Sequence, residues 1–367
     1  MLKNQINASV HAAVAQVVAD DGFRRYSGSH CERLSDELAQ RFRASDVLLC
    51  SSGTAALEVA LRAAGVGPGD EVLLSAYDYP GNFWAIERVG ARPLLIDVEP
   101  DGWCISAERL AQAWENSPAP ALKAMVVSHL HGQLQDMLAL RSWCEQHALI
   151  LIEDACQAVG ASQDAKPVGS LSHASILSFG GGKVLSSGRG GALLTADATF
   201  AQRARVCAGA GSGPYALSEL QAAVVAAQLP WLNAINEHCR LYFTQLAECL
   251  QNLPSVSCPY VHDLPNTSFY QGGLLSDYQS ALIETLAAAG VPAGVGFTGF
   301  HRRSRRRCRC WQPLQNTTSA ATRTVTVHYA AALEPNLSAS QAASLIAQLH
   351  RDLCGRARSG SEPSHRK

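Results

Sequence analysis

Short apolar runs alternate with longer stretches of helical spacing between about residue 45 and residue 195. The runs predict seven β-strands rich in Val, Leu and Ile, at 46–50, 71–75, 91–98, 121–130, 149–155, 174–179 and 190–195. Between them, stretches such as AALEVALRAAG and DMLALRSWCEQHA repeat their apolar residues at the spacing of an amphipathic helix. This alternation predicts an α/β fold, in which a mostly parallel sheet is covered by helices on both faces.

The pattern becomes mainly helical from Ser218, and after about residue 255 it changes again to shorter mixed elements. These later elements include the predicted helix DYQSALIETLAAAG, the predicted strand TRTVTVHYA and the final helix SASQAASLIAQLHRDL. We therefore expect a large domain over residues 1–250, a smaller α+β domain over 251–355 and a flexible tail over 356–367.

Composition narrows the class of protein. The chain has 367 residues, of which 47% are hydrophobic and 17% charged, which is typical of a folded globular protein. Its formal net charge is −1, so charge gives no bias toward nucleic acid or a membrane surface. No apolar run reaches the roughly 18 residues that span a bilayer, and the N-terminus shows no signal-peptide pattern. We expect a cytoplasmic protein without a nucleic-acid or membrane partner.

The twelve cysteines are scattered, and none forms the CxxC pairs of zinc ribbons or thioredoxin-like proteins. The sequence therefore predicts free thiols and no metal site.

The stretch SFGGGKVLSSGRGGALLT sets Lys183 among glycines, a composition that phosphate-binding loops share. The spacing, however, fails the Walker pattern on both sides, because Leu177 stands where the first glycine belongs and Val184 follows the lysine. SSGT, ending at Thr54, is the better phosphate candidate, since it lies where a predicted strand meets a predicted helix. An ordinary helix cap remains an equal alternative for SSGT alone.

Two further residues suggest covalent chemistry. Asp154 ends a buried-looking strand, where an acid needs a cationic partner or serves as a helix cap. Lys183 follows its own strand, and a partly desolvated lysine can form a Schiff base with a carbonyl, although a lysine on a surface loop is the simpler interpretation when it stands alone. Together, a phosphate site, an acid and a Schiff-base lysine are the three anchors of pyridoxal 5′-phosphate.

At these residues the sequence resembles the DegT/StrS family of aminotransferases, the fold-type I enzymes that aminate keto sugars or keto cyclitols. The resemblance covers about residues 25–250 and weakens in the last third. The matching pieces run in family order: SSGTAALEVAL, GVGPGDEVLLSAYDYPGNFWAI, GARPLLIDVEP, VVSHLHGQLQDM, LILIEDACQAVGA, SILSFGGGKVLSSGRGGALLT and SELQAAVVAAQL.

The resemblance implies an aspartate aminotransferase-like large domain, with a seven-stranded type of sheet, and a pyridoxal-phosphate-dependent transaminase. An amino acid would donate the amino group, a keto sugar (nucleotide-linked) or keto cyclitol would accept it, and the enzyme would be a homodimer with active sites near its interface. Lys183 would hold the cofactor as a Schiff base and transfer the proton. Asp154 would keep the ring nitrogen protonated, and His129 would lie under the ring, whereas His131 would be structural.

The resemblance also implies the cofactor contacts. The phosphate would bind Gly53 and Thr54, with Ser52 nearby and the hydroxyl of Ser178 added. Tyr79 would stack on the pyridine ring. Gln157 would reach the phenolic oxygen of that ring.

The chain departs from the family pattern in three places. Arg189 replaces a glutamate that members usually carry. Pro214 and Ala216 replace an Asn-x-Arg pattern whose asparagine reaches the cofactor phosphate of the partner subunit, and the GGG before Lys183 replaces bulkier residues. Two alternatives therefore stay open, a pyridoxal-phosphate-dependent lyase or dehydratase, and a non-catalytic, regulatory member that binds the cofactor. Retention of the lysine argues against the family's dehydratases, which carry histidine there.

Six arginines occur within HRRSRRRCRCW, between Arg302 and Arg309. A solvated basic loop is the plainer interpretation, and recognition of an anionic substrate is the functional one. On the second interpretation, neutralising Arg305 to Arg307 raises the KM for a nucleotide-linked substrate.

Overall fold

A computed structural model describes residues 2–358, apart from 210–212, 265 and 335. All seven predicted strands are present, and the large sheet that they form has one further strand, at residues 309–310 in the C-terminal third. Two of the seven, 46–50 and 71–75, have the predicted bounds, and the others are shorter by one or two residues at one or both ends. The flexible tail predicted for 356–367 lies mostly outside the described residues.

The first 200 residues supply nine strands. They are β1 (Asp46–Cys50), β2 (Glu71–Ser75), β3 (Arg92–Ile96), β4 (Leu122–Ser128), β5 (Ile150–Asp154), β6 (Ser162–Gln163), β7 (Lys166–Pro167), β8 (Ala174–Ser178) and β9 (Gly191–Thr195).

The helices up to residue 250 surround these strands. They are α1 (Leu2–Ala19), α2 (Ser29–Phe42), α3 (Gly53–Ala63), α4 (Pro80–Arg88), α5 (Ala107–Asn116), α6 (Met137–Gln146), α7 (Ala198–Ala208), α8 (Glu219–Ala226) and α9 (Leu232–Leu250), with short 3₁₀ turns at Gly22–Arg24 and Leu229–Trp231. Four of them, α1, α2, α4 and α7, were not among the predicted elements.

The remaining elements follow α9. They are β10 (Val256–Ser257), a 3₁₀ turn (Pro259–Asp263), β11 (Gln271–Ser276), α10 (Gln279–Ala288), β12 (Ala293–Val295), β13 (Arg309–Cys310), α11 (Gln315–Arg323), β14 (Thr324–His328), α12 (Ala330–Leu333) and α13 (Ala339–Arg358).

The large sheet has the strand order β1-β9-β8-β5-β4-β2-β3-β13. Only β9 runs antiparallel to its neighbours, and the pairs β2–β3, β2–β4, β4–β5, β5–β8 and β3–β13 are parallel. The predicted α/β class with a mostly parallel sheet is therefore confirmed. The eighth strand of the large sheet, β13, lies within residues 251–355, the segment expected to form the small domain.

Burial on both faces explains why the middle positions of the central strands are apolar. Along β2, Val72 and Leu74 pack against α3 and α4, while Leu73 between them packs against the side that holds α5 and α6. Neighbouring residues of a strand point to opposite faces, so a strand covered on both faces has consecutive apolar residues.

The C-terminal part forms a second, four-stranded antiparallel sheet in the order β10-β11-β14-β12. One apolar core joins this sheet and α13 to α2, α8 and α9. The proposed boundary at residue 250/251 falls at the end of α9. The two sheets meet beside the carboxyl ends of the central strands, which is where the candidate site lies.

Candidate active site

A cavity of about 460 Å³ opens where β1, β5 and β8 end, at the same edge of the large sheet. This is the edge at which parallel sheets commonly bind ligands, and the volume is in the range of small-molecule sites. All nine residues that the sequence assigned to the site line this cavity: Ser52, Gly53, Thr54, Tyr79, His129, Asp154, Gln157, Ser178 and Lys183.

The start of α3 forms one end of the cavity. Ser52 is the N-cap, and its Oγ accepts a hydrogen bond from the backbone N–H of Ala55 at 3.0 Å. Gly53 and Thr54 are the first helical residues, so their N–H groups have no acceptor within the helix. SSGT can therefore be both a helix cap and a phosphate site, because the serine that caps the helix stands beside two amides that can bind an anion.

Close packing explains the glycines around this end. A Cβ on Gly53 would stand 3.1 Å from the Ser178 Cβ and 3.2 Å from the Cys156 Sγ. A Cβ on Gly191 would stand 2.5 Å from the nitrogen of Gly53, which no side chain permits. These two glycines let β9 and the end of β8 approach the first turn of α3.

The Asp154 carboxylate is held at both oxygens. Its Oδ1 accepts from the backbone N–H of Cys156 at 3.0 Å, and its Oδ2 accepts from the Nδ2 of Asn82 at 2.8 Å. Asp154 is 5% exposed. A buried carboxylate that lines a cavity and lacks a salt bridge among the described residues suits a cationic ligand group such as a protonated ring nitrogen.

Lys183 ends the glycine loop, and residues from the C-terminal part hold that loop in place. His328 donates from Nε2 to the carbonyl of Gly182 at 3.0 Å, and the Tyr329 hydroxyl donates to the carbonyl of Lys183 at 3.4 Å. Burial lowers the pKa of the Lys183 amine, although Cys156 and Asp154 act in the opposite direction. A lowered pKa increases the unprotonated fraction, which is the nucleophilic form.

His129 uses both of its ring nitrogens inside the protein. Its Nδ1 accepts from the backbone N–H of Gln135 at 3.1 Å, so its Nε2 donates to the Glu153 carboxylate at 3.0 Å. Burial opposes ionisation of Glu153, but hydrogen bonds from His129, Gly169 and Ser175 outweigh it and lower the pKa of Glu153. Since no nitrogen is left for a ligand, we propose that His129 supports the cofactor ring by contact and does not transfer protons.

Tyr79 and Gln157 both line the cavity. The Tyr79 side chain is 45% exposed, which leaves its ring free for stacking. The Oε1 of Gln157 accepts from the backbone N–H of His131 at 3.2 Å, so its amide nitrogen is the donor that remains for a phenolic oxygen.

The structure also brings to the cavity residues that the sequence did not single out. They include Asn82 from α4, Tyr270 before β11, and the residues from Val295, which ends β12, to Phe297. Asn82 lies in the quoted stretch YDYPGNFWAI, where an amide within a first helical turn was a usable signal. The others come from the last third, where the resemblance weakens and the sequence carries no signal.

Comparison with known proteins decides the family. The profile of the DegT/DnrJ/EryC1/StrS aminotransferase family matches residues 4–349. The chain belongs to this family. The predicted resemblance is thereby confirmed, and the match extends through the last third.

Individual proteins are similar to this chain over most of its length. A "Pleiotropic regulatory protein" of Geobacillus stearothermophilus is 34% identical over 241 residues, 62% of this chain and 64% of that protein, so just under two thirds of its length is spanned. "GDP-perosamine synthase" of Caulobacter vibrioides is 35% identical over 274 residues, 69% of this chain and 72% of that protein. Among solved structures, S. venezuelae DesV in complex with a ketimine intermediate has a TM-score of 0.83 and 26% identity, and covers 97% of this chain and 98% of its own.

These matches support the predicted transaminase class and the pyridoxal phosphate cofactor. The residues present fit that group: two free amides at a helix N-terminus suit its phosphate, Asp154 its ring nitrogen and Lys183 its aldehyde. No helix among the described residues is long and apolar enough to cross a membrane.

The arginine run lies away from the cavity. Arg309 forms a bidentate pair with Glu71 at 2.9 and 2.6 Å, and Arg307 pairs with Glu87. Glu71 begins β2, so the run crosses the edge of the sheet opposite to the cavity. This position favours the interpretation of a basic surface segment over that of a substrate contact.

The substituted positions Arg189, Pro214 and Ala216 lie near the start of α3. Arg189 is exposed and lines the cavity, and among the described residues its side chain forms no ion pair. The carbonyl of Pro214 accepts from the Ser51 Oγ at 3.2 Å, and Ala216 forms an isolated bridge with Cys50. The segment that holds Pro214 and Ala216 therefore packs against the residues that precede α3 in the same chain.

Proposed function

We propose that this protein is a pyridoxal-phosphate-dependent aminotransferase that moves an amino group from an amino acid to a keto sugar or keto cyclitol, with Lys183 as the covalent anchor. The observation that carries the proposal is the convergence of three groups on one cavity: the amides of Gly53 and Thr54, the carboxylate of Asp154 and the amine of Lys183. Separately each has a plain structural explanation, whereas together they match the three ends of one cofactor.

When bound, pyridoxal phosphate supplies an aldehyde that condenses with amines and a protonated ring that accepts electrons from the substrate's α-carbon. Lys183 Nζ would hold that aldehyde, and an amino donor would take its place. Nζ would then serve as the base that accepts the donor's α-proton, since burial lowers its pKa and increases the unprotonated fraction. Asp154 would hold the proton on the ring nitrogen, and the first turn of α3 would hold the phosphate.

Two relationships support a sugar-type acceptor. The relative named GDP-perosamine synthase is 35% identical, and its name refers to an amino sugar that is linked to a nucleotide. Arg189 is the arginine among the cavity's lining residues, and a guanidinium that forms no ion pair with the described residues suits a substrate phosphate or carboxylate. We propose that Arg189 binds such a group, so Arg189→Gln raises the KM of the anionic substrate with little change in kcat.

The test of the function is optical. Purified protein incubated with pyridoxal phosphate should show the visible absorption band of a lysine-bound cofactor, which glutamate or glutamine should bleach. Lys183→Ala should abolish the band, and Lys166→Ala, a change at an exposed lysine, should keep it. A colourless wild-type protein, or a band that persists in Lys183→Ala, contradicts the proposal.

One observation favours a second candidate function, a regulatory protein that binds the cofactor without turnover. The first relative described above carries the name "Pleiotropic regulatory protein" at 34% identity. The amino-donor experiment separates the two candidates. A regulatory protein would show the band, and no amino donor would convert the bound cofactor to its amine form.

We propose further that the protein is a homodimer. The family resemblance places active sites near a subunit interface, and sedimentation equilibrium measures the mass directly.

A further inference from the structure

A second carboxyl group lies behind Asp154. Asp78 follows β2 in the loop that leads into α4, and it is 0% exposed. The backbone N–H of Tyr79 donates to its Oδ1 at 2.6 Å, and the Ser128 Oγ lies 2.8 and 2.9 Å from its two oxygens. Asp78 does not line the cavity. It can therefore influence a bound ligand only through its neighbours.

Asn82 connects the two acids. Its Nδ2 lies 2.8 Å from Asp154 Oδ2, 3.1 Å from Ser128 Oγ and 3.2 Å from Asp78 Oδ1. An amide nitrogen has two hydrogens to donate, so three acceptors compete for them. The shortest of the three contacts goes to Asp154.

The charge on Asp78 sets the outcome of this competition. A neutral Asp78 is a weak acceptor and leaves the Asn82 amide to Asp154. An ionised Asp78 attracts that amide and adds a second negative charge near the ring-nitrogen site.

The surroundings favour the neutral form. Burial, followed by the nearby Asp154 charge, raises the pKa of Asp78 to about 8. Among the described residues, the other titratable groups that face this pair are Tyr77 and Tyr79 in the same loop, Cys156 after β5 and, next to Asp154, the amine of Lys183. Tyr77 and Cys156 are held neutral by burial, because burial raises the pKa of both groups.

We propose that Asp78 is a positioning residue that acts through Asn82 to hold the Asp154 carboxylate in the orientation that meets the ring nitrogen of the cofactor. The proposal rests on the proposed function, since it concerns the same site. It goes further in assigning a role to a residue that touches neither cofactor nor substrate. It also makes the site pH-dependent through a group outside the cavity.

The first experiment uses the cofactor-free protein. Carbon-13 NMR of protein with labelled aspartate carboxyls follows the titration of Asp78, which Asp78→Asn identifies by loss of its signal. We expect a midpoint near 8 in the wild type. Asp154→Asn removes a like charge and should lower that midpoint by at least about 1 unit. If Asp78 titrates at the usual pKa of an aspartate, or if Asp154→Asn leaves its midpoint unchanged, the proposed coupling of Asp78 to Asp154 is overturned.

The second experiment uses protein loaded with pyridoxal phosphate. The absorbance of the bound cofactor is followed against pH, and the wild type should show a step at or below the midpoint of the cofactor-free protein, because a cationic ring offsets part of the Asp154 charge. Asp78→Asn keeps the size of the side chain but cannot ionise, so it should remove the step while cofactor affinity at pH 7 stays within about twofold. Asn82→Leu should make the step smaller, because it breaks the hydrogen-bonded connection while the charge of Asp78 still acts through space.

Asp70→Asn is the matched control, since Asp70 lies before β2 at the opposite edge of the sheet and should keep the step. If Asp78→Asn lowers the melting temperature but its profile superimposes on that of the wild type, Asp78 is only structural and the proposal is overturned. Wild-type protein that binds no cofactor contradicts the proposed function instead, and the NMR titration then still reports whether the two acids are coupled.

Discussion

The amine nitrogen of Lys183 lies 3.9 Å from the centre of the Tyr270 ring. Tyr270 precedes β11 in the C-terminal sheet, whereas Lys183 follows β8 in the large one. An aromatic ring stabilises an ammonium group through its negative face, so Tyr270 opposes the effect of burial on Lys183. The contact also links the two sheets at the atom expected to carry the chemistry.

Replacing Tyr270 should change the proton affinity of Lys183. Tyr270→Leu keeps an apolar neighbour but removes the ring, which should lower the lysine pKa because a cation–π energy of ~0.5–1 kcal/mol is lost from the protonated form. Tyr270→Phe keeps the ring face and should behave like the wild type. The pH dependence of the rate at which cofactor-free protein captures pyridoxal phosphate measures this pKa. Equal midpoints in Tyr270→Leu and the wild type would contradict the contact's role.

Lys183 should also cost the protein stability when no cofactor is bound. Its pKa is lower in the folded chain than in the unfolded chain, so the unfolded chain binds more protons between the two values. Stability therefore rises with pH through the folded-state pKa until the ordinary value of about 10.4 is reached. Lys183→Met should raise the melting temperature at pH 7, and the gain should shrink as the pH approaches that value.

The control for this change is Lys166→Met, at an exposed position, for which we expect no pH-dependent gain. Thermal unfolding followed by circular dichroism from pH 6 to pH 10 compares the three proteins. A Lys183→Met variant no more stable than the wild type would argue against a destabilising charge.

Gly53→Ala tests the phosphate end of the site. The new methyl group would stand 3.1 Å from the Ser178 Cβ and 3.2 Å from the Cys156 Sγ, which forces the start of α3 away from β8. We expect cofactor affinity to weaken about tenfold, or ~1.4 kcal/mol, with the fold retained. Equilibrium titration with pyridoxal phosphate gives the affinity. Gly67→Ala, where a Cβ meets nothing within 4 Å, should bind normally.

The arginine run should matter for stability more than for catalysis. Glu71 is buried, and Arg309→Gln removes its ion-pair partner, so we expect about 1–3 kcal/mol less unfolding free energy. Arg305→Gln, at an exposed arginine, should change stability by less than about 0.5 kcal/mol. Chemical denaturation measures both values. If Arg305→Gln raised the KM for an anionic substrate severalfold, the earlier interpretation of the run as a substrate contact would regain support.

Much of the architecture was predictable because it depends on local patterns. The strands 46–50 and 71–75 were found at their predicted bounds, since each has a run of apolar residues between turn signals. β13 was not predictable, because Arg309 and Cys310 form a two-residue strand inside a basic run and pair with β3 only through the tertiary fold. The sequence pattern did not predict α1 either, since its apolar residues are small and mixed with polar ones.

The sequence by itself determined the local chemistry: an amide-rich helix start at SSGT, an acid at the end of β5 and a lysine in a glycine loop. The tertiary structure alone decided which other groups act on them. Asn82 reaches Asp154 across 72 positions, and Tyr270 reaches Lys183 across 87 (270 − 183). Short-range spacing fixes strands, caps and turns, whereas the contacts that set the charge and orientation of a buried group depend on which strand ends the fold brings together.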